Sequence, residues 1–106
     1  MAITNYQVLT NYDNPAFTAP AGSGTAVTVI YITNKTDGDG TVDVYVTPTG
    51  VSATANHLVY SQLTIKARDT YILDTEKMIL ESGAKIWIAA PDSAAQFNAT
   101  ISTIGL

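Results

Sequence analysis

Cysteine is absent from this chain of 106 residues, and histidine and tryptophan each occur once. Without cysteine the protein has no disulfide framework, no zinc site built from thiolates and no thiol nucleophile. A chain of this length is expected to form one domain, spanning residues 1–106, that buries about 60–70% of the surface exposed by the unfolded form. Packing and hydrogen bonds, within one copy or between copies, must therefore stabilise the fold.

Ionised side chains are also scarce. They make up 13% of the sequence, where about 25% is usual for soluble domains. The five cations are scattered and are outnumbered by nine acidic residues, which excludes nucleic acid as an expected partner because phosphate binding needs clustered cations. Neutral residues must cover the surface instead, and threonine alone occurs 16 times. Such a surface indicates a subunit of an assembly, and a monomer with a threonine-rich β surface is the alternative interpretation.

Long apolar runs are missing as well. No stretch approaches the roughly 20 residues that a membrane-spanning helix needs, so no membrane partner is expected. Residues 1–5 show no basic region followed by an apolar stretch, which predicts synthesis in a cytoplasm without an export signal.

What the sequence does have is a period of two, the pattern of β-strands. From Thr41 to Thr47, valine alternates with polar or aromatic residues, which predicts a half-buried antiparallel strand. The segment 26–33 is β-branched at nearly every position, which predicts a central strand covered on both faces. Two Asp-Gly pairs within residues 37–40 are a strong turn signal. We therefore predict that these two strands form a hairpin.

The remaining segments complete an all-β pattern. The segment 74–81 fits a two-turn helix and a strand equally well. Residues 1–24 are expected to form an N-terminal strand followed by a proline- and glycine-rich loop or arm. The predicted fold is an antiparallel β-sandwich, Ig-like or jelly-roll-like, with seven or eight strands and at most one short helix. Its further strands are predicted at residues 6–9, 58–66, 70–73, 86–88 and 96–104.

No catalytic residue, cofactor or metal is predicted. The single histidine, His57, precedes a strand and lacks the sequence context of a catalytic triad. Asp37 and Asp39 resemble half of a calcium loop, but in both registers of that loop Lys35 falls on a ligand position.

One cluster of carboxylates has two possible interpretations, and the first is a glycosidase pair, which hydrolyses glycosides with two carboxyl groups at a defined separation. Asp69, Asp74 and Glu76 flank a short predicted strand and are mixed with Arg68 and Lys77. This mixture with cations favours solvated turn charges.

The strand around Trp87 is the candidate contact surface. Trp87 points to the face opposite Ile86 and Ile88, so one face presents large apolar groups outward unless both faces are buried. The predicted interface residues are Tyr45, Tyr60, Ile86, Trp87 and Ile88. In the alternative, aromatic side chains form a platform that stacks sugars, as in carbohydrate-binding β-sandwiches. The side chains for that platform are Tyr6, Tyr12, Tyr31, Tyr45, Tyr60, Tyr71 and Trp87.

Several turn-and-strand motifs follow one another in a characteristic order. A Pro-Ala-Gly turn at 19–22 precedes a Val/Ile-rich strand, 27–34, that ends in asparagine. A strand ending in Pro-x-Gly follows at 42–50. Tyr60 then precedes an apolar-x-Ile-x-Ala-x-Asp-Thr stretch at 63–70.

The last of these motifs is a Gly-x-x-Ile strand that ends in alanine, at 83–89, before a terminal strand. In the order and spacing of these motifs, residues 15–105 resemble a family of small virion structural proteins of tailed bacteriophages. The chain departs from that pattern at Ala84, where the family usually has an acidic residue.

The resemblance implies a non-enzymatic protein of the virion, made in the host cytoplasm. Its leading role would be capsid decoration, in which a cement protein binds and stabilises the head shell. A tail, neck or fibre component is the alternative within the virion, and a carbohydrate-binding module is the alternative from another class. The expected partners are a major capsid or tail protein and copies of the chain itself, and the expected oligomer is a trimer. Exposed edge strands or the N-terminal segment could add strands to those neighbours.

Overall fold

The structure of the protein is a computed structural model that describes residues 2–8, 14–22, 24–73, 78–90 and 96–105. β-Strands account for most of these residues, and the helical structure among them is a single 3₁₀ turn, η1. The all-β prediction is confirmed. The described part of the chain contains no helix of the length and apolarity that crossing a membrane requires. The elements are β1 (Ala2–Val8), β2 (Phe17–Thr18), β3 (Thr25–Asn34), β4 (Gly40–Thr47), η1 (Ala55–His57), β5 (Leu58–Ile65), β6 (Thr70–Leu73), β7 (Met78–Leu80), β8 (Lys85–Ala89) and β9 (Phe97–Gly105).

These strands form two antiparallel sheets that pack face to face, as predicted. The five-stranded sheet has the order β1-β9-β3, and both β6 and β7 pair with the other side of β3. The four-stranded sheet has the order β2-β8-β4-β5. When β6 and β7 are counted as one interrupted strand, this is the strand order of an eight-stranded jelly roll built from two Greek keys. That interruption alone raises the described strand number from eight to nine.

The prediction that β3 and β4 form a hairpin is wrong, because the two strands lie in different sheets. The Asp-Gly loop between them crosses from one sheet to the other. Its acidic side chains bind the turn between β5 and β6: Asp39 Oδ1 accepts a hydrogen bond from the backbone N–H of Ala67 at 2.9 Å, and Asp37 pairs with Arg68 at 2.8 Å. Within the described residues, β4 and β5 are the only strands consecutive in sequence that pair.

A second correction concerns the faces of β3. The strand is central, as predicted, but only its inner face is fully covered: Ile30 and Ile32 are buried, whereas Tyr31 on the outer face is 40% exposed. A β-bulge between Val27 and Val29 shifts the register with β9. Bulges insert an unpaired residue and so change the phase of the side chains. This change of phase explains why the sequence looks apolar on both faces.

The segment 74–81 is a strand where it is described. Met78–Leu80 forms β7, and Leu80 is buried. Residues 74–77, and with them the start of the alternative helix, lie outside the described residues.

The main core lies between the two sheets. It consists of alternate residues from the long strands of both, as expected for face-to-face packing. The largest fully buried apolar side chains are Phe97, Ile30, Ile32, Ile86, Ile88, Ile101, Val42 and Val44.

Candidate interaction surface

The predicted contact residues on β8 lie inside the protein. Ile86 and Ile88 are fully buried between the sheets. Trp87 lies on the other face of β8 but is only 4% exposed, because it packs in a second, smaller cluster with Tyr45 and Ala53. Both faces of β8 are therefore covered, and the outward apolar side chain that the sequence suggested is not found.

Local contacts fix the Trp87 ring on the outside of the four-stranded sheet. The indole Nε1 donates a hydrogen bond to Thr47 Oγ1 at 2.9 Å, and Lys85 Nζ lies 5.8 Å from the ring centroid. Tyr60 is partly buried against the main core. The strand pattern could not reveal this cover, since Ala53 comes from the irregular connection between β4 and β5.

The aromatic side chains of the predicted sugar-stacking platform do not share one surface. Tyr31 lies on the outer face of the five-stranded sheet, whereas Tyr71 is paired with the buried Ile32 and lies on the inner side. Tyr6 packs against the main core, and burial raises its pKa. Tyr12 lies outside the described residues.

The charged and ionisable candidates have structural partners. His57 Nδ1 lies 3.1 Å from the backbone N of Thr54, which donates to it within the turn that precedes β5. Asp69 accepts a hydrogen bond from the next backbone N–H. Asp74 and Glu76 lie outside the described residues. In the described part of the chain, no three histidine, aspartate or glutamate side chains come together to hold a metal ion.

Exposed apolar side chains collect instead on the outer face of the five-stranded sheet. Directly paired residues share a face of a sheet, so the registers among β1, β9, β3, β6 and β7 define this surface. Its large hydrophobic side chains are 40–72% exposed. We call this surface the apolar face, and it comprises Ile3, Tyr31, Ile72, Ile79 and Ile104.

The strand pairing brings these side chains into rows. Ala26 of β3 lies between Ile104 on β9 and Ile79 on β7. Tyr31 is paired with Ile72 on β6. None of the described strand residues on this side of the sheet is charged. A neutral, partly apolar sheet surface whose large side chains stay exposed beside the other described residues suits contact with another protein.

A polar groove occupies the other end of the same side. Its amide and hydroxyl side chains surround an open cavity of about 430 Å³. Thr100 Oγ1 donates a hydrogen bond to Asn5 Oδ1 at 2.8 Å. These groups suit a neutral polar ligand. The groove is lined by Asn5, Tyr6, Gln7, Thr33, Asn98 and Thr100.

No protein family, curated protein or solved structure matches the chain. Its function must therefore be inferred from its own surface and sequence.

The apolar face was not predicted from the sequence, although its residues carry a signal. Ile3, Ile72, Ile79 and Ile104 each occupy the outward phase of a strand. They come from four different strands that are distant in the sequence, and only the register shows that they lie together.

Proposed function

We propose that this protein is a non-enzymatic structural protein of a bacteriophage virion that decorates the capsid and attaches through the apolar face. The observation that carries the proposal is the exposure of Ile3, Ile72 and Ile79, at 66%, 50% and 72%, on an uncharged sheet surface. Burial of apolar surface against a partner contributes about 25 cal/mol per Å² removed from water. Leaving such side chains in water has no structural benefit for a single copy.

The fold and the sequence supply independent support. Jelly rolls are the architecture of many viral capsid and lectin domains, although fold alone does not determine function. The order of turn-and-strand motifs resembles small virion proteins. Low charge suits a surface that packs against other proteins. When many copies bind one particle, symmetry multiplies a modest interface into high avidity.

Gold labelling of particles tests the location. Antibodies against the chain are applied to particles purified from the culture or lysate whose DNA encodes it, and the grids are viewed by electron microscopy. Gold spread over the heads is the expected result. Gold confined to the tails would contradict capsid decoration and support the tail, neck or fibre alternative. Particles without gold would overturn the virion proposal.

A matched pair of variants tests the surface. Ile79→Lys places a charge on the apolar face, and Val59→Lys places the same charge on β5 at the edge of the other sheet, where Val59 is 50% exposed. We expect co-sedimentation with undecorated heads to fall at least tenfold for the first variant and to stay unchanged for the second. Equal binding by both would show that attachment uses another surface.

The carbohydrate-binding alternative is favoured by one observation, the uncharged groove lined by Asn5, Gln7 and Asn98. Amide side chains donate and accept hydrogen bonds as sugar hydroxyls require. A glycan array probed with the native protein and with Asn98→Ala tests it. A specific signal lost in the variant would support this alternative, and an empty array would remove it.

A further inference from the structure

The described strands leave four sheet edges, and three of them are protected against pairing with another chain. An edge strand exposes unpaired N–H and C=O groups, and short length, interruptions and bulges prevent their use as a template. β2 has two residues, and the β6–β7 edge is split into segments of four and three residues. β5 contains two register shifts and Gln62 at φ 51°, which twist the strand away from a flat geometry.

The fourth edge, β1, has none of these protections. It runs for seven residues, Ala2–Val8, and pairs with β9 in an unbroken register over its whole length. Its sequence, Ala-Ile-Thr-Asn-Tyr-Gln-Val, contains no charge, proline or glycine. No described residue pairs with its outer side. β1 is thus a regular edge strand with outward N–H and C=O groups that no described strand pairs with, and such an edge can bond another strand.

We propose that a second copy of this chain covers this edge, by antiparallel pairing of β1 with its counterpart around a two-fold axis at Asn5. Antiparallel pairing of identical strands is self-complementary, as an isologous interface requires. Each chain carries a net charge of −4, yet β1 is neutral, so the copies approach here without direct repulsion.

The two-fold register also gives favourable cross-strand neighbours. With Asn5 at the centre, Ile3 lies opposite Gln7 of the second copy, and Thr4 lies opposite Tyr6. Pairs of aromatic and β-branched residues stabilise antiparallel strands. Pairing places the apolar faces of both copies on the same side of one continuous sheet. The dimer stands independently of the proposed attachment to a capsid, and it replaces the trimer that the sequence suggested.

Introducing a charge at the centre of the strand tests this pairing. Asn5→Lys and Asn5→Asp each place two like charges about 5 Å apart across the two-fold axis. The native protein is expected to show twice the 11.2 kDa of one chain in light scattering after size exclusion. The dissociation constant of the dimer should rise about tenfold in each variant. An equimolar mixture of the two variants should recover the dimer, because the opposite charges then face each other. Thr64→Lys, on the exposed edge β5, is the matched control and should remain dimeric.

Disulfide cross-linking between two copies provides a second test that remains valid if the charged variants fold poorly. Because the chain has no cysteine, Asn5→Cys introduces a single thiol, and directly opposed Cβ atoms in antiparallel strands lie close enough for a disulfide. Mild oxidation should give a covalent dimer, whereas Thr64→Cys should not. A native monomer at millimolar concentration, a trimer, or equal cross-linking by both variants would overturn the proposal. If the protein is a monomer and antibodies against it still label phage heads, only the dimer proposal is overturned. If the protein is a dimer and no particle is labelled, only the proposed virion function is overturned.

Discussion

At the scale of single residues, Asn34 holds the crossing between the two sheets. Its fully buried side-chain amide donates hydrogen bonds to the carbonyls of Gly38 at 2.8 Å and Ile65 at 3.1 Å. Its Oδ1 accepts from the backbone N–H and the hydroxyl of Thr36. One side chain thus connects the end of β3, the following loop and the end of β5. Buried amides stabilise a fold only when they are satisfied in this way.

We expect Asn34→Ala to lower the free energy of unfolding by about 2–4 kcal/mol, because it removes these bonds and leaves the buried Ile65 carbonyl without that donor. Urea unfolding followed by circular dichroism measures the loss. Asn98→Ala, an exposed amide on the outer side of the same sheet, is the control and should change stability by less than about 0.5 kcal/mol. Equal effects of the two substitutions would show that the amide of Asn34 has no special role.

Tyr6 makes the fold sensitive to alkaline pH. Burial raises the pKa of its phenol above the ordinary value, and the hydroxyl donates to the carbonyl of Asn14 at 3.3 Å. A raised folded-state pKa means that the folded protein binds the proton more tightly than the unfolded chain. The related stability is complete below about pH 10 and is lost as pH rises through the folded-state pKa.

The free energy of unfolding should therefore decline above about pH 10, and Tyr6→Phe should decline less over the same range. Urea titrations at a series of alkaline pH values measure both slopes. Parallel curves for the native protein and Tyr6→Phe would assign the decline to other groups.

At the scale of elements, the turn before β8 depends on one glycine. Gly83 has a φ of 83°, and a Cβ built there would lie 2.7 Å from Thr49 Cγ2. Thr49 cannot easily give way, because its hydroxyl donates to the carbonyl of Ser82. The backbone N–H of Gly83 also bonds the carbonyl of Ala19.

Gly83→Ala should destabilise the protein by about 2–4 kcal/mol, through a left-handed backbone that disfavours alanine and through the contact with Thr49. Thermal or urea unfolding measures this change. Adding Thr49→Ser removes the crowding methyl group and should recover part of the loss, which separates contact from backbone strain. Gly38→Ala, where a Cβ meets no atom within 4 Å, should be nearly neutral, and a comparable loss there would contradict this explanation.

Individual strands were predictable from the sequence, but their partners were not. The period of two located β4 and β5 closely and β3 within a residue at each end. It could not show that the Asp-Gly loop crosses between sheets, since Asp-Gly pairs and their acidic side-chain hydrogen bonds serve a crossing as well as a hairpin. Likewise, the bulge in β3 and the cover over Trp87 depend on neighbouring segments that are remote in the sequence. The same holds for the surface. Its low charge follows directly from the composition, whereas the apolar face could be identified only from the register of five strands.

At the scale of the whole molecule, most of the described charges lie away from the apolar face. Lys66, Arg68 and Asp69 lie in the turn between β5 and β6, Lys35, Asp37 and Asp39 lie in the facing loop, Asp43 and Lys85 lie in the four-stranded sheet, and Glu81 directly follows β7. The apolar face and β1 contain none. A net charge of −4 keeps free copies apart, while the neutral surfaces allow contact in a defined orientation.

This separation predicts how capsid attachment responds to solution conditions. Contact through a neutral apolar face gains its free energy from removing surface from water, so the affinity for undecorated heads should change less than about twofold between about 50 mM and 500 mM salt. The heat-capacity change of binding should be negative, as it is when apolar surface is buried. Isothermal titration calorimetry at several temperatures and salt concentrations measures both quantities. A steep loss of affinity with salt would instead assign attachment to the charged turn around Lys66 and Arg68, and substituting those two residues would then abolish binding while Ile79→Lys would not.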